Sequence, residues 1–306
     1  MPQNLRFTCV PGGKLVYCIS KDGQAVLVDY IGTGKILVIP PVINSNTCAC
    51  DEIKVSKEIP DESFASCSSV EYIVDMCGCD FGMCVFSKCN QISGIISVEV
   101  STQFNSDYSF VDERCLPRNI GMLSITAENS QNFNDYWDTG GNLYAARKLI
   151  ADIVLKLAEK NDIDGLLRLS HLGNIGNSLR DAICTNDLDK LILMDSLGLL
   201  GEKCPFAYSI AAAIRHRHDD VFKFLINRHM FDVYWSDGSA LFSTAAANNI
   251  DYTRLLLSAG HSPFARTPEW EGERPVLEYA LEKNKIEIAS MIRSYQLRGS
   301  IQPSGN

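Results

Sequence analysis

Two different periodicities divide this chain of 306 residues. Up to about residue 126, apolar residues come in short runs separated by turn-forming clusters. Strands are predicted over residues 5–10, 14–19, 25–30 and 35–39, with Pro11-Gly12-Gly13, Lys21-Asp22-Gly23 and Gly32-Thr33-Gly34 between them. Further strand-like pieces fall at 70–74, 92–100 and 122–126. From Leu143 the period changes. Leu143, Ala146, Leu149, Ile150, Ile153, Val154 and Leu157 recur three and four residues apart, which is the stripe of an amphipathic helix. Gly140-Gly141, after the irregular stretch 129–138, marks the expected boundary and separates residues 1–139 from 140–306.

Each part repeats itself. Ser63-Phe64-x-x-Cys67-x-x-Val70-x-x-Ile73 returns 22 residues later as Val85-Phe86-x-x-Cys89-x-x-Ile92-x-x-Ile95. A looser third copy runs through Ser109-Phe110, Cys115, Ile120 and Leu123. A fixed spacing of large apolar residues suits stacked turns, because each turn must put the same volume beneath its neighbour. A free cysteine at one point per turn fills a small inward slot. With Glu58-Ile59-Pro60 ahead of it, this pattern resembles the BspA-type leucine-rich repeat, over about residues 14–126. The opening segment is similar to the β-rich cap that precedes such repeats. The resemblance implies a β-solenoid that acts by adhesion or protein binding.

In the second part, acidic residues open successive helices at Asp164, Asp189, Asp220, Asp251 and Glu287, in steps of 25, 31, 31 and 36 residues. Negative charge in a first turn complements the helix dipole. Apolar triplets such as Phe224-Leu225-Ile226 and Leu255-Leu256-Leu257 follow. Asp237-Gly238-Ser239-Ala240-Leu241, then Thr244-Ala245-Ala246, and Leu255 to Ala265 resemble the ankyrin repeat. Coverage is about residues 160–296, as four or five divergent units. The expected fold class is therefore an α+β repeat protein, a leucine-rich-repeat β-solenoid followed by an all-α ankyrin-like solenoid.

Charge changes the picture only in the first part. Net charge is −9, and residues 1–140 carry nine Lys/Arg against seventeen Asp/Glu, while 141–306 carry nineteen against twenty. An acidic first half argues against nucleic acid, whose binding is dominated by phosphate neutralisation. It suits a basic protein surface, or a solvated face. The longest apolar run, residues 35–43, is broken by Pro40 and Pro41 and is too short to span a bilayer. No Sec-type signal pattern opens the chain. A cytoplasmic location is expected, in the producing cell or in a host cell if the protein is delivered as an effector.

Ten of the twelve cysteines lie in the first 115 residues. Cys48-Ala49-Cys50, Cys77-Gly78-Cys79, Cys84 and Cys89 leave three readings open: structural thiols, a metal site, and a disulfide or redox role. All five histidines (His171, His216, His218, His229, His261) lie in the helical half, away from the cysteines in sequence. Asp80-Phe81-Gly82 spells a kinase metal-binding triplet without the other kinase motifs and is a coincidence of sequence. Gly32-Thr33-Gly34-Lys35 is too short for a phosphate loop. No catalytic residue, metal ligand, cofactor or small-molecule substrate is expected. Tyr234, Trp235, Arg266 and Trp270 fall in loops between helical hairpins and are the residue types enriched at binding hot spots. They are the expected protein-binding residues of a non-enzymatic interaction module or scaffold. The alternatives are an acidic immunity or inhibitor protein masking a basic toxin, and a cysteine-dependent enzyme.

Overall fold

The structure is a computed structural model, and it describes residues 5–44, 52–60, 63–64, 67–81, 85–86, 89, 91–99, 103–104, 121–127, 143–201, 204–206, 210–230 and 239–299. The chain packs as two compact units, Met1–Ala127 with Arg147–Asn174, and Glu128–Ala146 with Ile175–Asn306. The expected boundary at 139/140 lies outside the described residues.

The first unit opens with a three-stranded antiparallel sheet of β1 (Arg6–Val10), β2 (Gly13–Ile19) and β3 (Ala25–Gly32). Then follow β4 (Ile36–Ile39), the hairpin of β5 (Val42–Asn44) and β6 (Glu52–Lys54), and β7 (Glu58–Ile59). After these come β8 (Tyr72–Asp75), β9 (Asp80–Phe81), β10 (Gly94–Val98), β11 (Gln103–Phe104) and β12 (Gly121–Ile125).

Two parallel sheets result, one ordered β12-β10-β8-β4 and one ordered β11-β9-β7. Leu37, Ile73, Ile95 and Met122 share one rung of the larger sheet. Every residue of β4 is buried, as expected where a parallel sheet is covered on both faces. The repeat pattern forms the core between these ladders. Phe64, Cys67, Val70 and Ile73, and their counterparts Phe86, Cys89, Ile92 and Ile95, are all buried in one cluster. The Phe64 and Phe86 rings stack at 5.7 Å and 9°. Phe110 and Cys115 of the third copy lie outside the described residues, and the rung that continues Ile95 is Met122 rather than Leu123. Phe81, in the triplet discounted above, is a buried strand residue 5.4 Å from the Phe86 ring.

Two helices complete this unit: α1 (Leu143–Glu159), from Arg147 onward, and α2 (Ile163–Leu172). Asn161, at the corner between them, accepts a hydrogen bond from the Lys35 N–H at 3.0 Å. The Thr126 N–H donates to Gly173 O at 3.0 Å. Arg147 pairs with Glu99 at 3.2 Å.

The second unit holds helix pairs α3 (Ile175–Thr185) with α4 (Leu188–Ser196), and α5 (Ala211–His216) with α6 (Asp219–Asn227). Next come α7 (Ala240–Ala246) with α8 (Ile250–Ser258), and α9 (Val276–Glu282) with α10 (Ile286–Gly299). The first helices touch in succession, α3 to α5, α5 to α7 and α7 to α9.

The corners of these pairs, and the corner between α1 and α2, share one backbone conformation just ahead of the acidic helix-opening residues. Asn161, Asn186, Arg217, Asn248 and Asn284 all hold positive φ, between 52° and 60°. The residue after each corner starts the second helix, and three of them cap it: Asp162 accepts from Gly165 N, Asp187 from Lys190 N and Asn249 from Tyr252 N. Asp164, Asp189, Asp220, Asp251 and Glu287 sit in the first turn, as predicted. The second helices also end alike. Gly198, His229 and Gly260 have positive φ. Each is followed by a buried residue whose N–H reaches back into the helix: Leu199 to Met194 O, Met230 to Leu225 O and His261 to Leu256 O. His261 is thus a core residue. Among the described residues no helix is long and apolar enough to cross a membrane.

Candidate functional site

A groove of about 360 Å³ opens along the first helices of the second unit. Ala211 and Arg215 come from α5, Phe242, Ser243 and Ala246 from α7, and Tyr279 from α9. Ala247 follows α7, and Trp270 and Glu271 come from a short 3-10 helix, Glu269–Glu271, in the loop before α9. Small residues let the helices approach closely and leave the groove floor low. Ala246 and Ala247 are exposed there, at the end of α7.

Three aromatic rings form one wall. Phe242 meets Tyr279 edge-on at 5.0 Å and meets Trp270 edge-on at 5.7 Å. Phe242 and Tyr279 are buried by the packing of α7 against α9, whereas Trp270 keeps 64% of its surface in solvent. Edge-to-face packing holds the indole in place while leaving one side for something else to cover.

The loop carrying Trp270 is closed by its own hydrogen bonds. The Thr267 N–H donates to Arg274 O at 2.8 Å, the Arg274 N–H donates to Thr267 Oγ1 at 3.0 Å, and the Val276 N–H donates to Ala265 O at 2.9 Å. Arg274 also pairs with Glu271 and Glu282. Its bond to Glu282 is the main cause that holds that carboxyl below the ordinary carboxylate value.

The structure places the four expected binding residues unequally. Trp270 is in the groove wall. Arg266 is outside it, and its guanidinium donates to the Glu273 carbonyl, so it staples the loop. Tyr234 and Trp235 lie outside the described residues. Arg215, Phe242 and the small floor were not singled out from sequence. The available signal was the pair of alanine runs Ala211-Ala212-Ala213 and Ala245-Ala246-Ala247, one on each neighbouring first helix.

The cysteines of the first unit are also positioned. Cys67 and Cys89 point inward and donate to the carbonyls of Tyr30 and Phe64, at 3.9 and 3.0 Å. Each thiol thereby ties its turn to a carbonyl earlier in the chain. Cys77 donates to Val55 O at 3.7 Å. Among the described residues no group of three or more His, Cys, Asp or Glu is arranged to hold a metal ion, while Cys48, Cys50, Cys84 and Cys115 lie outside them.

No family model matches the chain, and no curated protein matches it, so the ankyrin expectation draws no support from relatives. A solved structure of a leucine-rich repeat protein from Bacteroides capillosus is similar over 38% of this chain and 97% of that one. Its sequence identity is 14% and its TM-score 0.26.

Proposed function

We propose that the protein is a non-enzymatic protein-interaction module, a leucine-rich repeat array followed by ankyrin-like helix pairs, and that the groove of the second unit receives an apolar side chain of a protein partner. The observation that carries this reading is Trp270, a large aromatic held edge-on against Phe242 and left 64% exposed above a floor of alanines. Rigid Trp and Tyr side chains provide contact area at little entropic cost, and they dominate interface energetics. The groove, about 360 Å³, has room for one or two side chains of a partner. In the first unit, the Cys67 and Cys89 thiols are spent as buried hydrogen-bond donors within the repeat, which fits structural use of these cysteines.

The test is photo-crosslinking with the full chain. A photoreactive residue at Ala247 yields a protein adduct of discrete mass, and the same probe at Glu159, an exposed position in the other unit, does not. Trp270→Ala in the Ala247-probe protein weakens the adduct tenfold or more, on the order of 1.4 kcal/mol. Indiscriminate labelling at Ala247, or an adduct indifferent to Trp270→Ala, removes the groove from consideration.

A further inference from the structure

The helix pairs of the second unit bury the same positions in turn. Leu241, Phe242, Ala245 and Leu257 of α7 and α8 share one core with Val276, Tyr279, Ile288 and Ile292 of α9 and α10. Thirty-one residues earlier, Ile210, Ala211, Ile214 and Ile226 are buried likewise. Thirty-six residues later, which is the step from the Asn248 corner to the Asn284 corner, the same positions hold Leu277, Glu278, Leu281 and Arg293. They make up the outer face of the last helix pair, and that face is left open among the described residues. Leu281 is 51% exposed, and Glu278 and Arg293 are exposed with it. Ile286 and Leu297 stand seven residues before Arg293 and four after it, on the same stripe of α10, and are 59% and 62% exposed. An end unit that faces water ordinarily has a polar outer face. Here leucine and isoleucine surround one acid and one base.

We propose that the outer face of α9 and α10 docks a second copy of this chain, in a two-fold dimer that sets α9 of each copy over α10 of the other.

The charges select both the occupant and its orientation. The acid is on α9 and the base is on α10, so the face is complementary to itself, as an isologous contact requires. A two-fold axis parallel to the helices places α9 opposite α10 of the other copy. At 1.5 Å per residue, Glu278 lies about 6 Å before the end of α9, and Arg293 about 10 Å after the start of α10. The two therefore meet at nearly the same height, within reach of their side chains, and the pair forms twice. Leu281 and Ile286, each next to the corner, meet by the same operation. An axis running across the helices instead sets α9 on α9, which brings Glu278 towards its own copy and leaves Arg293 facing Arg293. Like charges brought together in this way oppose association.

The experiment is sedimentation velocity of the full-length folded chain from low to high micromolar concentration. Reductant is kept in excess, because Cys9 and Cys184 are exposed thiols. The expected result is a reversible monomer–dimer equilibrium. Arg293→Glu weakens it by roughly tenfold or more, and so does Glu278→Arg. The two substitutions in one chain restore it, since the pair is then reversed. An equimolar mixture of the two single variants also associates, because each supplies the charge that the other lacks. A monomer at every concentration overturns the proposal. So does a dimer indifferent to both single reversals, or one that neither the double variant nor the mixture recovers. Hydrogen exchange of the wild-type chain decides the matter without any variant. Protection at residues 276–299 rises with concentration if the face is the interface, and a rise confined to other residues overturns it.

Discussion

His229 holds a left-handed backbone, φ 54°, at a point where the flanking helix pairs place Gly198 and Gly260. A side chain in that region costs roughly 1–2 kcal/mol, which glycine avoids. Part of the gain is offset because glycine also frees the unfolded chain. His229→Gly is expected to stabilise the protein by about 0.5–1 kcal/mol, read as a higher urea midpoint with unchanged slope. The position was not legible from residue type, since histidine says nothing about positive φ. It becomes legible only by counting 31 residues from Gly198 and 31 back from Gly260. The eight apolar positions of the Phe-x-x-Cys pattern were legible for the opposite reason. Volume at a fixed spacing is a constraint that packing imposes directly on residue type, and all eight are buried.

At the scale of elements, the helix pairs support each other's ends. The Lys285 ammonium, at the corner before α10, donates to Ala245 O and Ala246 O at 2.6 and 2.8 Å, on the final carbonyls of α7. A cation there satisfies carbonyls that the helix leaves unpaired and complements its dipole. Lys285→Met keeps the stem and removes the charge, and is expected to cost about 1 kcal/mol by the same urea measurement. Element type was readable wherever a period had room to show: β1 to β4, the rung strands β8 and β10, and the amphipathic stretch of α1. The strands β7, β9 and β11 were not, because two residues display no alternation. They are recognisable only as partners at steps of 22 and 23 residues, with Ile59 beside Phe81 and Phe81 beside Phe104. The groove was half readable. Trp270 stood out as an aromatic in a loop, while Arg266 drew attention for its type and proved to be a staple. Arg266 is exposed like Trp270, and which of the two lines the groove depends on hydrogen bonds to backbone carbonyls that residue type does not encode.

For the whole molecule, the change of period at Leu143 does not coincide with the change of packing unit. Residues 147–174 are helical but pack with the β-sheets of residues 1–127. Asn161 on the Lys35 N–H and Gly173 on the Thr126 N–H hold them there. A fragment of residues 1–139 lacks both helices, whereas 1–174 includes them. The longer fragment is expected to unfold in one cooperative urea transition, and the shorter to show a shallow, non-cooperative one. Equal cooperativity of the two would mean that α1 and α2 are dispensable to the unit. Periodicity reports what an element is and not which neighbour buries its apolar stripe, so the sequence boundary and the packing boundary differ.

The recurring left-handed corners bear on how this chain can change length. Between Arg217 and Asn248 the corner returns after 31 residues, and the helix ends at Gly198, His229 and Gly260 keep the same interval. Losing or gaining one residue inside such a block moves a side chain that needs negative φ onto the corner, and rotates the following buried stripe about its helix axis. Losing or gaining a whole block returns every corner, cap and buried position to an equivalent place. Copy number is therefore the coordinate along which this half of the protein can drift at little cost, and single-residue insertions are survivable mainly in the loops between one pair and the next.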